Sequence, residues 1–204
     1  RFDGSSFTNF NTGHGMSDNE VFSMMEDRKG RLWFATLNGK PCFYQNGVIY
    51  NEKNLPLLRQ CETGGLVQRI LQRQDGSIAL CSAGKTVTID PDAGRCETLI
   101  HPNMLDVWEN AAGRLMCFGT KGVQEVGNSS FYAPPDAVAL RKPVRVLPIG
   151  DTILVSSVDR VMVYESRSQR LIRSIYLCNC KPNDRSKKPK SVHLRRLRCH
   201  RWLK

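Results

Sequence analysis

Glu26-Asp27-Arg28-Lys29-Gly30-Arg31-Leu32-Trp33-Phe34-Ala35 contains a polar turn closed by glycine, followed by a run with no polar alternation. A half-buried strand alternates apolar and polar residues, so a strand that is apolar on both sides is buried on both faces. The same arrangement returns at Gly76 before Ser77-Ile78-Ala79-Leu80-Cys81 and at Gly113 before Arg114-Leu115-Met116-Cys117-Phe118. It returns once more at Gly150, before Asp151-Thr152-Ile153-Leu154-Val155. The four glycines stand 46, 37 and 37 positions apart. A unit recurring about every 40 residues marks a repeat architecture.

Within the first unit, apolar stretches flank three turns, closed by Gly30, Gly39 and Gly47, which predicts four short strands joined as hairpins. The second unit reads the same way, with strands at 67–71, 78–81, 86–89 and 96–100 and turns at Gln74-Asp75-Gly76, Ala83-Gly84 and Pro91-Asp92-Ala93-Gly94. Nothing between the strands is long or periodic enough for the helices that cover a parallel sheet. Small antiparallel sheets stacked face to face around an axis satisfy the pattern, which is a β-propeller. A two-layer sandwich is the structural rival, but it calls for more alternation and no repeated turn chemistry.

The fold expected is all-β: a propeller fragment of about four four-stranded antiparallel blades plus a leading half-blade. The blades are placed at residues 15–60, 64–100, 103–133 and 143–177, and residues 1–12 read as the outer strands of a preceding blade. Residues 178–204 form a basic tail, expected to be disordered. No apolar stretch approaches the ~20 residues of a membrane helix.

The net charge of +11 is unevenly placed. Residues 178–204 hold ten Lys/Arg against Asp184 alone, and the first 177 residues hold 20 basic against 18 acidic side chains. The charge therefore belongs to the tail and gives no reason to expect a specific nucleic-acid site in the body. Three readings of the tail stay open: a solvated end where the repeats stop, a non-specific polyanion binder, or a zinc site at Cys178, Cys180, Cys199 and His200. The spacing of that last set suits zinc poorly. The body cysteines, Cys42, Cys61, Cys81, Cys96 and Cys117, show no disulfide spacing, and Cys42, Cys81 and Cys117 sit in apolar strands as small hydrophobes do.

No phosphate-binding loop, nucleophile elbow, zinc-protease or calcium-loop pattern is present, and the four histidines are scattered. No catalytic residue, metal or cofactor is expected. Asp27 and Asp75 are assigned to turn stabilisation, their carboxylates accepting from nearby backbone N–H groups. Trp33 is assigned to packing between blades. Loops gathered at one end of a rigid scaffold are where binding residues concentrate. The end that precedes each inner strand collects His14, Ser17, Asp18, Asn19 and Asn38, then His101, Asn103 and Lys121, whose short polar groups suit sugar hydroxyls.

Gly15-Met16-Ser17-Asp18-Asn19-Glu20-Val21 followed by 25–39 resembles the two-component regulator propeller repeat, which runs through Asn-x-Val and then Glu-Asp-x-x-Gly-x-Leu-Trp-x-x-Thr-x-x-Gly. The matching positions are Asp27, Gly30, Trp33, Thr36 and Gly39. Later units keep Gly76, Gly113 and Gly150 but place Ala79 and Met116 where the tryptophan would stand. The resemblance implies the extracytoplasmic, periplasmic sensor region of a bacterial hybrid two-component kinase, binding an oligosaccharide. It implies as partners the remaining blades, a kinase region not found in these 204 residues, and a homodimer. Intact sensors are longer, so the chain reads as a fragment. The alternative is a propeller scaffold for protein–protein contact, truncated and without ligand.

Overall fold

The computed structural model describes residues 4–101, 104–119, 122–128, 131–132, 144–166, 168 and 170–177. It contains four four-stranded antiparallel sheets. The first blade consists of β1 (Val21–Glu26), β2 (Leu32–Thr36), β3 (Cys42–Gln45) and β4 (Val48–Tyr50). The second consists of β5 (Arg69–Gln72), β6 (Ile78–Cys81), β7 (Lys85–Asp90) and β8 (Arg95–Ile100). The third holds β9 (Met104–Glu109), β10 (Leu115–Gly119), β11 (Gly122–Glu125) and β12 (Phe131–Tyr132), and the fourth β13 (Arg145–Ile149), β14 (Thr152–Ser156), β15 (Arg160–Glu165) and β16 (Leu171–Tyr176). Every strand pairs with its neighbour in sequence, the pattern of propeller blades.

Consecutive blades pack through their inner strands, β1 on β5, β5 on β9 and β9 on β13. Each junction has its own core. Trp33, Ala35 and Phe43 meet Ile78, Leu80, Val87 and Ile89 between blades one and two, with Leu58 and Cys61 of the connecting 3-10 helix Pro56–Gln60 and its cap. Ala79 and Cys81 meet Val107, Leu115 and Cys117 at the next junction. Trp108 and Phe118 meet Val146, Val155 and Met162 at the last.

Strands β2 and β6 are buried on both faces, as a non-alternating apolar run requires. Strand β14 differs: Ile153 and Val155 are buried while Thr152, Leu154 and Ser156 are half-exposed. Among the described residues no further sheet covers the outer side of blade four. The first blade escapes this because the loop before it folds back, so that Met16 packs with Phe34, Cys42 and Ile49.

Residues 4–11, assigned to a leading half-blade, contain only an isolated bridge at Phe7 and no regular strand. Phe10 lies against Tyr44 of blade one, ring centroids 5.7 Å apart. The basic tail at 178–204, with its three cysteines, lies outside the described residues.

Candidate functional site

Two opposite ends of the blades have different characters. At the end with the first hairpin turns, the chain is fastened to itself. Asp27 Oδ1 accepts from the backbone N–H of Lys29 at 2.9 Å and of Arg31 at 3.0 Å. Asn110 Oδ1 does the same for Ala112 and Arg114 in blade three. Asp75 holds its turn from a different place, accepting from the N–H and hydroxyl of Ser77. Neighbouring turns are tied together: the Arg28 N–H donates to Gln72, Arg31 pairs with Asp92 at 3.0 Å, and Arg73 and Gln74 both engage Glu109. These junction pairs were not legible in the sequence, because their partners lie in the next repeat.

The opposite end carries the loops 12–20 and 51–68 and the turn around Asn38. Here His14 Nδ1 lies 2.8 Å from Asn11 Oδ1. Asp18 accepts from the N–H groups of Glu20 and Asn38, and Asn19 accepts from Thr12. The Asn38 amide donates to Ser17 O at 2.7 Å, while its oxygen accepts from Thr36 Oγ1 and the Lys40 N–H. Ser17 Oγ donates to Lys40 O. His14, Ser17, Asp18, Asn19 and Asn38 are thus brought together, each with a polar side-chain atom engaged in holding the loop. His101 sits apart from them in blade two, buried, with Nε2 3.0 Å from Thr86 Oγ1. Asn103 and Lys121 lie outside the described residues.

Gly39 closes this loop against the next blade. Its φ is +74°, and a Cβ there would come within 2.4 Å of Gly65 O and 2.5 Å of Thr63 Oγ1. The Thr63 N–H donates to Gly39 O at 3.0 Å. Beside it, Lys40 reaches Glu52 at 2.8 Å and Glu62 at 3.5 Å, and the Glu52 carboxylate holds its amine above the usual lysine range.

Recesses open among the described residues. One of about 270 Å³ lies beside Ser17, Asn38, Lys40 and Glu52, and one of about 400 Å³ between Thr63–Gln68 and Ser82–Lys85. Another, about 600 Å³, lies at the starts of β1, β9 and β13 and against the segment just before β5, lined by Phe22, Ser23, Gln68, Met104 and Arg145 among others. Phe22 is 59% exposed there.

Asp106 of β9 braces the walls of this axial cleft. Its side chain is fully buried and accepts from Arg69 Nη1 at 2.9 Å, from the Val146 N–H at 2.6 Å and from the Val107 N–H at 3.0 Å. One carboxylate therefore joins the inner strands of blades two, three and four. Burial pushes its carboxyl above the usual range, against the pull of Arg69 and the backbone donors.

Burial pushes the Cys81 and Cys117 thiols up to about 12 and about 11, well away from reactive thiolates. Among the described residues no three His, Cys, Asp or Glu side chains are arranged to hold a metal ion, and no helix is long and apolar enough to cross a membrane.

The sequence profile of the two component regulator propeller family matches residues 15–38. No curated protein matches the chain. Among solved structures, the extracellular domain of a putative hybrid two component system from B. thetaiotaomicron superimposes with a TM-score of 0.58 at 17% identity, over 78% of this chain and 23% of that one. The extracellular domain of a putative one component system from the same organism gives 0.58 at 12%, over 81% and 25%. PorZ, a surface component of the type-IX secretion system of Porphyromonas gingivalis, gives 0.58 at 19%, over 79% and 23%. The chain spans about a quarter of the length of these structures. Residues 15–38 match a two-component regulator propeller repeat and supply β1 and β2 of the first blade, and the fold of four four-stranded antiparallel sheets is shared with those extracellular domains.

Proposed function

We propose that the chain is part of the extracytoplasmic, ligand-sensing propeller of a two-component sensor. It binds an oligosaccharide in the axial cleft and passes the change in blade geometry to a histidine kinase region outside these residues. The observation that carries the reading is the cleft itself. Inner strands of blades one, three and four and the segment leading into β5 border one space, whose lining includes an exposed aromatic ring, Phe22, with Ser23, Gln68 and Arg145. An apolar ring face beside a few convergent hydrogen-bonding groups is the composition of a small-molecule site. The repeat match at 15–38 and the likeness to extracellular sensor domains support the sensor role and the compartment.

The loop end contributes by shape more than by direct contact, since Asp18, Asn19 and Asn38 already bond backbone groups of the loop. That same observation favours a second reading, a ligand-free scaffold for protein contact. Exposed Phe22 and Met24 on blade one, and Leu147, Ile149 and Ile172 on blade four, are the apolar surface such contacts would use. The remaining blades of an intact propeller, or a second copy in a homodimer, would cover those faces.

Calorimetric titration with defined neutral and sulphated oligosaccharides separates the readings. The sensor reading expects saturable binding that Phe22→Ala and Gln68→Ala abolish while the melting transition is kept. Binding unchanged in both variants removes the axial site, and a folded protein that binds none of the sugars leaves the scaffold.

A further inference from the structure

Cys61 and Cys96 stand 35 positions apart in sequence, one in the connection between blades and the other in an outer strand. Cys61 caps the 3-10 helix Pro56–Gln60 and is fully buried. That helix packs on β8, the outer strand of blade two, which carries Cys96. In the β7–β8 ladder Cys96 lies directly opposite Ile89, and directly opposed residues share a face of the sheet. Ile89 is fully buried in the cluster that also holds Cys61, and Cys96 packs against that cluster from its edge. Cys61 and Cys96 thus pack on one core, Cys61 from the helix cap and Cys96 from β8. The other buried body cysteines lie elsewhere: Cys42 is 3.1 Å from the Ser17 hydroxyl, and Cys81 and Cys117 share the separate core between blades two and three.

We propose that Cys61 and Cys96 are a redox pair that closes to a disulfide, stapling the connection between blades one and two to the outer edge of blade two. Cys96, the partly exposed member, meets the oxidant first. Its thiolate attacks one sulfur of a disulfide donor, such as glutathione disulfide or an oxidised thiol–disulfide oxidoreductase, and one donor thiolate leaves. Cys61 then loses its proton and attacks the Cys96 sulfur of the mixed disulfide, so that the second donor thiolate leaves. Two cysteine thiols are oxidised to one disulfide, and the donor takes up two electrons and two protons. Burial and the neighbouring Cys96 push the Cys61 thiol upward, which makes this second step the slow one and keeps the reduced pair stable until an oxidant engages Cys96. The closed bond restricts the unfolded chain over the intervening segment and so raises the melting temperature. An oxidising compartment is where such a bond persists, but the pairing itself does not depend on the sensor reading.

Trypsin makes the test direct, because cleavage after Arg59 and Arg69 leaves 60–69 with Cys61 as its single cysteine, and cleavage after Arg95 and Arg114 leaves 96–114 with Cys96 alone. The full chain is incubated with glutathione disulfide, denatured, alkylated with N-ethylmaleimide and digested without reductant. The expected product is 60–69 joined to 96–114, lighter by two hydrogens than the two free peptides together, which separates on reduction. The oxidised chain should melt several degrees above the reduced one, and Cys61→Ser/Cys96→Ser should lose that redox-dependent difference. Recovery of both peptides as alkylated or glutathione-capped species, or of Cys96 joined to any other cysteine, overturns the pairing.

Discussion

Asp27 and Trp33, six positions apart across the first hairpin, are joined by a 2.9 Å hydrogen bond from the indole Nε1–H to the carboxylate Oδ2. The same oxygen accepts from Arg31 Nε at 2.6 Å, while Oδ1 holds the turn. Arg31 extends the set to Asp92 of blade two and lies 5.8 Å from the Trp33 ring centroid. The acidic and aromatic positions of the repeat are thus one device: the carboxylate shapes the turn and orients the ring that fills the junction between blades.

Removing that carboxylate leaves a buried indole N–H without its acceptor and a buried guanidinium paired with Asp92 alone. Asp27→Ala should therefore destabilise the fold by about 3–5 kcal/mol, the usual cost of breaking a buried pair from one side, read by urea denaturation. Burial alone would raise the Asp27 carboxyl, but the bonds from Trp33, Arg31 and the turn N–H groups outweigh it and hold it below the usual carboxylate range. A depressed folded-state value means the contribution is fully present above the unfolded value of about 3.9 and is lost as pH falls through the folded one. The wild-type chain should lose stability below about pH 4, and Asp27→Ala should show a shallower acid limb.

The two buried tryptophans should respond differently to the same change. Trp33 donates to a carboxylate, so Trp33→Phe should cost about 1.5–3 kcal/mol, as loss of a charge-assisted bond does. Trp108 is buried, and among the described residues its Nε1–H has no partner. Trp108→Phe should cost less than about 1 kcal/mol, because removing an unsatisfied donor offsets the lost volume. Trp33→Ala, which empties the junction, should cost about 3–5 kcal/mol. Equal losses in the two Phe variants would show that the indole bond contributes nothing.

Gly30 and Gly39 both have positive φ, at +73° and +74°, yet their surroundings differ. A Cβ at Gly30 meets nothing within 4 Å, so Gly30→Ala should cost only the backbone strain, about 1–2 kcal/mol. At Gly39 the Cβ would strike the backbone of Gly65, and separating the blades to relieve it should bring the loss to about 3 kcal/mol or more. Thermal melts of the two variants give the comparison.

Charge placement yields a further expectation. The first 177 residues are nearly neutral and 178–204 carry almost all of the excess, so deleting 178–204 should abolish retention on heparin. The melting transition should stay within about 1 kcal/mol of the full chain, since the segment supplies no repeat. Heparin binding that survives the deletion would place a polyanion site on the blades.

The sequence by itself determined the all-β class, the repeat length and the turn positions. These are written in local features: non-alternating apolar runs, glycines where φ is positive, and acids beside them. It also carried the family likeness of residues 15–38, because that motif is one contiguous run within a single repeat. The equivalence of Asp27 with Asn110 rather than Asp75 was hidden, since two carboxyl-bearing turns look alike until their backbone partners are known. Tertiary structure alone decided the rest. The exposure of one side of β14, the bracing of three inner strands by Asp106, the axial cleft around Phe22 and the meeting of Cys61 with Cys96 all join residues from different elements or repeats. No spacing rule reaches that far, because such contacts depend on how one blade is rotated against the next. The polar loop residues His14, Asp18, Asn19 and Asn38 show the same limit from the other side. Their composition suits sugar hydroxyls, and only the folded loop reveals that they hydrogen-bond the loop itself.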